Sequence, residues 1–233
     1  KGKTPICYNK YKYNEYNETV DPKILESSLQ DYYINVSTST GCPFSCNFCV
    51  DGSEEFRKRN FDNLCDELLL YDSKLPQKTP VHFFDTIFTY PKDRCIKICK
   101  FISKNTTSNY FSCDIKTGTI DREVLTALYH ARIRFISIGF ETSIDKILQK
   151  ANKKQSFEHS IDTAKLIRKY MPYTAIKAYW LLGLPGTTTD TLRQDIESIK
   201  YLLEENIVYI VSPKLFVPYP STNYYNEPDK HGL

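Results

Sequence analysis

Three cysteines stand close together in the segment GCPFSCNFC, which covers residues 41–49. Cys42, Cys46 and Cys49 are separated by four and three positions, and the segment also holds a glycine and a proline. A short loop of this kind lets thiolates wrap one face of an iron–sulfur cube. Three thiolates leave one iron without a protein ligand, as in a catalytic metal site with an open position. The spacing therefore predicts a [4Fe-4S] cluster that does chemistry.

A zinc site is the main alternative for the same three thiols. Zinc requires a fourth ligand to complete a tetrahedron, and the candidates are His82, His130, His159 and His231. In that case the chain is a zinc-stabilised binding module rather than an enzyme. A disulfide fits less well because three thiols are an odd number. The other five of the eight cysteines lie outside the segment and are expected mainly to pack.

Alternating strand and helix patterns indicate how such a loop is positioned. Apolar segments rich in β-branched and aromatic residues predict strands at 33–39, 80–84, 109–115, 134–139, 174–182 and 207–215. Helical patterns fall near 56–71, 93–103, 121–130, 143–170 with a break, and 188–204. Asp121 and Thr189 are candidate caps for two of these helices. With no return hairpins, the pattern predicts an α/β fold, a partial (β/α)6 TIM barrel with parallel strands.

Composition restricts the class of protein. The 233 residues fit one large domain, and 41% hydrophobic with 25% charged residues is typical of a globular chain. A net charge of +3 is too small to indicate a nucleic-acid or membrane partner. The apolar stretches are shorter than the roughly 20 residues of a membrane-spanning helix, and the N-terminus lacks a secretory signal pattern. We therefore expect a cytoplasmic protein.

Four further segments follow the cysteines along the chain: FDTIFT at 84–89, IGFETS at 138–143, LGLPGT at 182–187 and PYPST at 218–222. Together with Phe48 before the last cysteine, they resemble the motifs of the radical S-adenosylmethionine (SAM) superfamily. The likeness extends to the subgroup whose members often carry a cobalamin-binding domain. The order of these segments along six strand–helix units indicates homology rather than a chance match.

The resemblance implies roles for single residues. Asp85 is expected to meet the amino group of SAM and Glu141 its ribose, although Glu141 is also read as a carboxylate that caps the next helix. The adenine is expected to lie against four residues: Phe48, Gly183, Pro185 and Gly186. The sequence departs from the subgroup at Thr86 and Thr187, because the motifs of the subgroup have carboxylates at these two positions. Residues 183–186 are also explained by an ordinary strand-to-helix turn.

Domain organisation follows from the same reading. We expect a radical SAM core barrel at 33–220, an irregular lead-in or linker at 1–32 and an irregular tail at 221–233. The chain does not begin with Met, which leaves room upstream of Lys1 for the cobalamin-binding domain that members of the subgroup often carry.

The resemblance implies a radical SAM enzyme that cleaves SAM to a 5'-deoxyadenosyl radical. The chemistry it favours is C-methylation of an unactivated carbon, with cobalamin as a further candidate cofactor. The alternative is a cobalamin-independent rearrangement, epimerisation or crosslinking of a peptide or small molecule. The partners expected are a small-molecule or peptide substrate and an electron donor such as flavodoxin or ferredoxin. We expect no nucleic acid and no membrane.

Overall fold

The computed structural model describes residues 15–16, 34–76, 79–107 and 109–233. In the described residues nine strands occur: β1 (Glu15–Tyr16), β2 (Ile34–Val36), β3 (Ser39–Thr40), β4 (Arg57–Arg59), β5 (Pro80–Phe83), β6 (Tyr110–Ile115), β7 (Ile133–Glu141), β8 (Ala175–Leu182) and β9 (Ile210–Leu215). Six of them form one sheet, in the order β2-β5-β6-β7-β8-β9. All neighbouring pairs in this sheet are parallel.

Helices fill the connections between these strands. They are α1 (Phe61–Lys74), α2 (Lys92–Asn105), α3 (Arg122–His130), the short α4 (Asp145–Lys150), α5 (Phe157–Tyr170) and α6 (Thr189–Glu204). Each strand of the large sheet pairs with the one that precedes it in the same sheet, as in a barrel wound in one direction. The predicted six strands and partial (β/α)6 barrel are confirmed. The five helical regions are also present, but the first begins at Phe61 rather than near Phe56, because residues 57–59 form β4.

The two faces of the large sheet differ sharply in polarity. Residues that face the helices are apolar and fully buried, as Ile138, Ile176 and Trp180 show. Alternate residues point to the opposite face because successive side chains of a strand alternate. There Ser137 and Lys177 lie at the same register level on β7 and β8. The interior of a TIM barrel is usually filled with branched apolar residues, so this inner face is unusually polar.

A second, small sheet was not predicted. Its strands have the order β1-β4-β3, and β3 runs antiparallel to β4. The expectation of a chain without return hairpins is therefore wrong at this point. Strands of two or three residues are too short to show a period in sequence. A buried ion pair between Arg59 and Glu67 ties this sheet to α1.

The helix caps follow the sequence closely but not completely. The Asp121 side chain accepts a hydrogen bond from Val124 N at 3.0 Å, so the predicted cap of α3 is confirmed. The cap of α6 is Thr188 rather than Thr189, and Thr188 and Thr191 bond each other's backbone N–H reciprocally. A shift of one residue is common for boundaries read from sequence.

The C-terminal segment is more regular than predicted. It holds two one-turn helices, α7 (Asn223–Asn226) and α8 (Pro228–His231), instead of an irregular tail. Thr222 caps α7, and the side chain of Tyr224 is fully buried. The predicted lead-in at 1–32 lies outside the described residues except for β1. No helix in the described part of the chain is long and apolar enough to cross a membrane.

We predict that Leu125→Ala lowers the free energy of unfolding by about 2–5 kcal/mol, because it leaves a cavity between α3 and the sheet. Leu125 is fully buried, whereas Leu203 on α6 is 41% exposed and serves as the matched control. Urea unfolding of both variants is the measurement. Equal losses in Leu125→Ala and Leu203→Ala would contradict this packing.

Candidate functional site

The three predicted cluster cysteines share one loop at the carboxyl edge of the sheet. Cys42, Cys46 and Cys49 lie between β3 and a single 3-10 turn, Asp51–Ser53. All three thiols are free and half-buried. Gly41 enters the loop with φ of 70°, and a Cβ there would stand 2.3 Å from the backbone oxygen of Glu55. Only glycine fits this position, which fixes where the loop starts.

Burial keeps the three thiols protonated in this arrangement. It raises the pKa of Cys42 to about 11 and also raises the pKa values of Cys46 and Cys49. For Cys46, the ammonium of Lys153 is the largest influence in the opposite direction, and Lys116 acts likewise. Metal binding to thiols requires their deprotonation, so these two ammonium groups favour the bound form.

Asn47, between two of the cysteines, anchors the loop to the rest of the molecule. Its backbone N–H donates to Ala151 O at 2.9 Å, and its side-chain amide donates to Lys150 O at 2.8 Å. Asn223 and Tyr224 of α7 bind Asn47 from the other side, at 3.0 Å and 3.1 Å. The cysteine loop is therefore held between the end of α4 and α7.

A small hydrophobic cluster brings together residues predicted to contact adenine. Phe48 packs against the buried side chains of Ile147, Ala151, Leu184 and Tyr224. Leu184 belongs to the predicted turn at 183–186. The structure thus places Phe48 and this turn in one place, although they are far apart in sequence.

The turn itself adopts a conformation that its glycines require. Gly183 and Gly186 have φ of 88° and 99°, in the region where other residues are strained. A Cβ on Gly183 would have no neighbour within 4 Å, so its backbone faces open space. Pro185 lies buried between them. The turn leaves room for a flat ligand beside Gly183, and its contact with adenine stays a prediction.

Glu141 ends β7 and forms a buried ion pair with Lys153. The distance from Lys153 Nζ to Glu141 Oε1 is 2.6 Å, and the two side chains are 11% and 7% exposed. Glu141 has φ of 67° next to a register shift after Gly139. A Cβ on Gly139 would stand 2.3 Å from Glu141 Oε1, so the glycine makes room for the carboxylate. Strained backbone of this kind clusters at functional sites.

A second carboxylate shapes the turn that follows Glu141. Asp195 of α6 is buried and accepts hydrogen bonds from the Thr142 hydroxyl, at 2.9 Å, and from the backbone and hydroxyl of Ser143, at 2.7 Å and 2.8 Å. Asp195, not Glu141, therefore holds the chain between β7 and α4. The reading of Glu141 as a helix-capping carboxylate finds no support in these bonds.

Asp85 is turned toward the protein rather than toward an open cleft. Its buried carboxylate accepts hydrogen bonds from Thr38 N, at 3.2 Å, and from the hydroxyls of Thr38 and Ser39. It thereby fixes the segment that leads into the cysteine loop. The role predicted for it, contact with the amino group of SAM, stays a prediction.

Thr86 stands where the resemblance expects a second carboxylate. Its hydroxyl donates to Asp51 Oδ2 at 2.8 Å. Asp51 directly follows the cysteine loop and raises the pKa values of Cys42 and Cys49. A carboxylate is therefore present next to the thiols, but it comes from the 3-10 turn after the cysteine loop and not from the end of β5.

Two lysines of the site were missed from sequence. Lys116 follows β6, is buried, and its Nζ lies 5.0 Å from the ring centroid of Phe44. Lys153 lies after α4, with Nζ 5.6 Å from the ring centroid of Phe48. The one available signal is position: functional side chains of such barrels gather just after the carboxyl ends of strands, as Lys116 does.

The zinc alternative gains no support from the geometry. Among the described residues, no three side chains of His, Cys, Asp or Glu converge closely enough to bind a single metal ion. A tetrahedral zinc site needs ligands about 2.0–2.3 Å from one centre.

Fold and site together define a class: a partial α/β barrel with an open cysteine loop at the carboxyl edge of its strands. Residues 36–199 match the Radical SAM superfamily. The chain therefore belongs to the Radical SAM superfamily. It is an enzyme, and the family to which it belongs uses a [4Fe-4S] cluster and SAM.

Curated relatives agree with this placement. An uncharacterized methyltransferase of Pyrococcus horikoshii is 27% identical over 192 residues, which are 80% of this chain and 40% of that protein. A tRNA-2-methylthio-N(6)-dimethylallyladenosine synthase of Ehrlichia ruminantium is 25% identical over 185 residues, 73% of this chain and 40% of that protein. The chain thus spans 40% of the length of both relatives.

Solved structures show the same fold. The radical SAM methyltransferase TsrM of Kitasatospora setae, with cobalamin and a [4Fe-4S] cluster bound, has a TM-score of 0.71 at 18% identity and covers 82% of this chain and 35% of its own. The cobalamin-dependent SAM radical enzyme OxsB has a TM-score of 0.68 at 17% identity, with 84% of this chain and 35% of its own covered.

We predict that Gly41→Ala prevents iron loading of the cysteine loop, because its Cβ would collide with the backbone of residues 54 and 55. Gly232→Ala is the matched control: its φ of 72° is nearly the same, but nothing lies within 4 Å of its Cβ. The measurement is iron per chain after anaerobic reconstitution. Normal loading of Gly41→Ala would contradict the close contact.

Asp85 gives a prediction about pH. Burial raises the pKa of Asp85 to about 6 from 3.8, so the folded protein holds this proton more tightly than the unfolded chain. The resulting stability is present below pH 4 and is lost as pH rises to about 6, by roughly 3 kcal/mol. Asp85→Asn should lack this fall.

The measurement is urea unfolding between pH 4 and 7 for the wild type, Asp85→Asn and the control Asp162→Asn, whose residue is exposed on α5. The control should follow the wild type. Parallel pH curves for the wild type and Asp85→Asn would show that Asp85 has an ordinary pKa.

Proposed function

We propose that this chain is the catalytic core of a radical SAM methyltransferase that methylates an unactivated carbon with the help of cobalamin. The observation that carries the radical SAM part is the loop with three free thiols beside two ammonium groups, within the matched family region. The methyltransferase part is supported by the names of the relatives and structural neighbours.

The donor set fits a [4Fe-4S] cluster. We assign Cys42, Cys46 and Cys49 as its ligands, since they lie on one loop whose entry at Gly41 is fixed by close backbone contact. When bound, the reduced cluster supplies the electron that cleaves SAM. Three thiolates leave one iron open to the amino and carboxylate groups of SAM.

The surrounding side chains are arranged to hold SAM. Lys116 and Lys153 place positive charge beside the thiols, where it balances the negative charge of thiolates and of a carboxylate. Phe48 and the open backbone at Gly183 offer surfaces for a flat adenine ring. Glu141 has one carboxylate oxygen bound by Lys153 and can accept a ribose hydroxyl on the other.

An apolar cluster lines one side of the site. Phe48, Leu184 and Tyr224 belong to this cluster, which joins the cysteine loop to the turn at 183–186. Apolar surroundings strengthen the charge interactions of a bound ligand. Helix α7, which contributes Tyr224, is therefore part of the site.

We predict that the reduced protein forms 5'-deoxyadenosine and methionine from SAM, because the cluster ligands and the SAM contacts all lie on this chain. The reagents are dithionite and SAM under anaerobic conditions, and the products are quantified by mass spectrometry. The triple variant C42A/C46A/C49A should form none. Cys65→Ala, which removes a thiol from α1, is the control and should retain the reaction. A fully loaded, reducible wild type without 5'-deoxyadenosine would contradict the assignment.

A labelled methyl group separates C-methylation from the cobalamin-independent alternative. With methyl-labelled SAM, cobalamin and a metabolite extract of the source cells, C-methylation transfers the label to a carbon of a product. Rearrangement, epimerisation or crosslinking returns all of it in methionine. Appearance of the label in a new C–CH3 group would support the proposal, and its complete recovery in methionine would support the alternative.

A further inference from the structure

The inner face of the sheet carries a group of polar side chains that the cofactor site does not use. Asp114 of β6, Ser137 of β7 and Lys177 of β8 occupy one register level across three neighbouring strands. Their neighbours in sequence, Cys113 and Ile176 among them, face the helices and are fully buried. These three polar residues therefore face the inside of the partial barrel.

Asp114 has an unsatisfied oxygen. Its Oδ1 is buried, yet no hydrogen-bond partner for it exists among the described residues. Burial raises the pKa of Asp114, while side-chain hydrogen bonds from Ser137 and Tyr179 and the charges of His82 and Lys177 act in the opposite direction. A buried carboxylate oxygen without a donor is costly, so a donor from outside the protein would be favoured here.

Lys177 is the opposite charge at the same level. Its Nζ lies 4.3 Å from the ring centroid of Tyr179 and 5.9 Å from that of Phe135. Within the described parts of the chain, it forms no ion pair with a carboxylate. Two strand spacings, about 10 Å, separate the backbones of Asp114 and Lys177. The two opposite charges thus stand on the strands that flank β7, at one level of the sheet.

The level of Asp114 and Lys177 lies next to the cofactor site but deeper in the barrel. Asp114 precedes Lys116 by two residues on the same strand side, a rise of about 6.6 Å. Lys116 acts on the thiols of Cys42 and Cys46. A molecule bound between Asp114 and Lys177 would therefore lie deeper in the barrel than the thiols of the cysteine loop.

We propose that Asp114 and Lys177 bind the ammonium and the carboxylate of a zwitterionic substrate, an α-amino acid or a compound with the same head group. The inference rests on the proposed radical SAM function. An ammonium donates to Asp114 Oδ1, and a carboxylate accepts from Lys177 Nζ. A neutral amide would satisfy hydrogen bonds but leave both charges unbalanced in a half-buried place. Phe84, 62% exposed, lies 6.2 Å from the His82 ring and offers an apolar wall for the rest of the molecule.

The test is ligand-observed NMR on the intact chain, with the common α-amino acids and ornithine as probes and saturating SAM present. SAM has the same head group, so its presence keeps the probes out of the cofactor site. We expect binding of at least one probe, and at least about tenfold weaker binding of its N-acetyl and carboxamide derivatives. Absence of binding by every probe, or equal binding of the derivatives, would overturn the proposal.

Charge-removing variants locate the binding. Asp114→Asn and Lys177→Met should each lower the affinity for the bound probe at least about tenfold. The matched controls Asp162→Asn and Lys104→Met remove the same charges from exposed positions on α5 and α2 and should leave binding unchanged. Circular dichroism verifies that each variant folds. If a variant does not fold, the comparison of each probe with its N-acetyl and carboxamide derivatives on the wild type tests the proposal. Equal binding by folded wild type and both inner-face variants would place the ligand elsewhere.

Because binding needs neither reduction nor catalysis, the two proposals fail separately. Formation of 5'-deoxyadenosine without any zwitterion binding would leave the radical SAM function intact and overturn this subsite. Zwitterion binding that depends on Asp114 and Lys177, without 5'-deoxyadenosine, would support the subsite and contradict the function.

Discussion

The buried ion pair between Glu141 and Lys153 is the constraint on which the site depends. It joins the end of β7 to the segment after α4, directly beside the thiol of Cys46. A buried pair of this kind is stable only while both charges are present, since either alone is strongly disfavoured. Gly139 and the left-handed backbone at Glu141 accommodate the pair. The pair therefore fixes the end of β7 and the ammonium of Lys153 beside the cysteine loop.

The two faces of the large sheet have different roles in this domain. Ile138, Ile176 and Trp180 pack against the helices and supply the core. The opposite face, with Asp114 and Lys177, does not belong to that core, and it is the face on which we propose that a substrate binds. Core packing and the proposed binding thus fall on alternate residues of the same strands, as the period of a β-strand allows.

Periodicity in the sequence was enough to predict the six parallel strands, because each is long or apolar enough to show its pattern. Contacts between distant segments were not predictable. Lys153 and Tyr224 carry no motif, and only the folded chain shows that they meet the cysteine loop. Asp85 illustrates a different limit: its position after a strand was visible, but its partners Thr38 and Ser39 depend on how the loop turns back.

The most direct test of the central claim is electron paramagnetic resonance of the reduced protein with and without SAM. An iron left open by Cys42, Cys46 and Cys49 should bind SAM, so addition of SAM should shift the g values of the reduced [4Fe-4S] signal. An intact [4Fe-4S] signal that SAM leaves unchanged, or reconstituted protein that holds zinc and no cluster, would contradict the account.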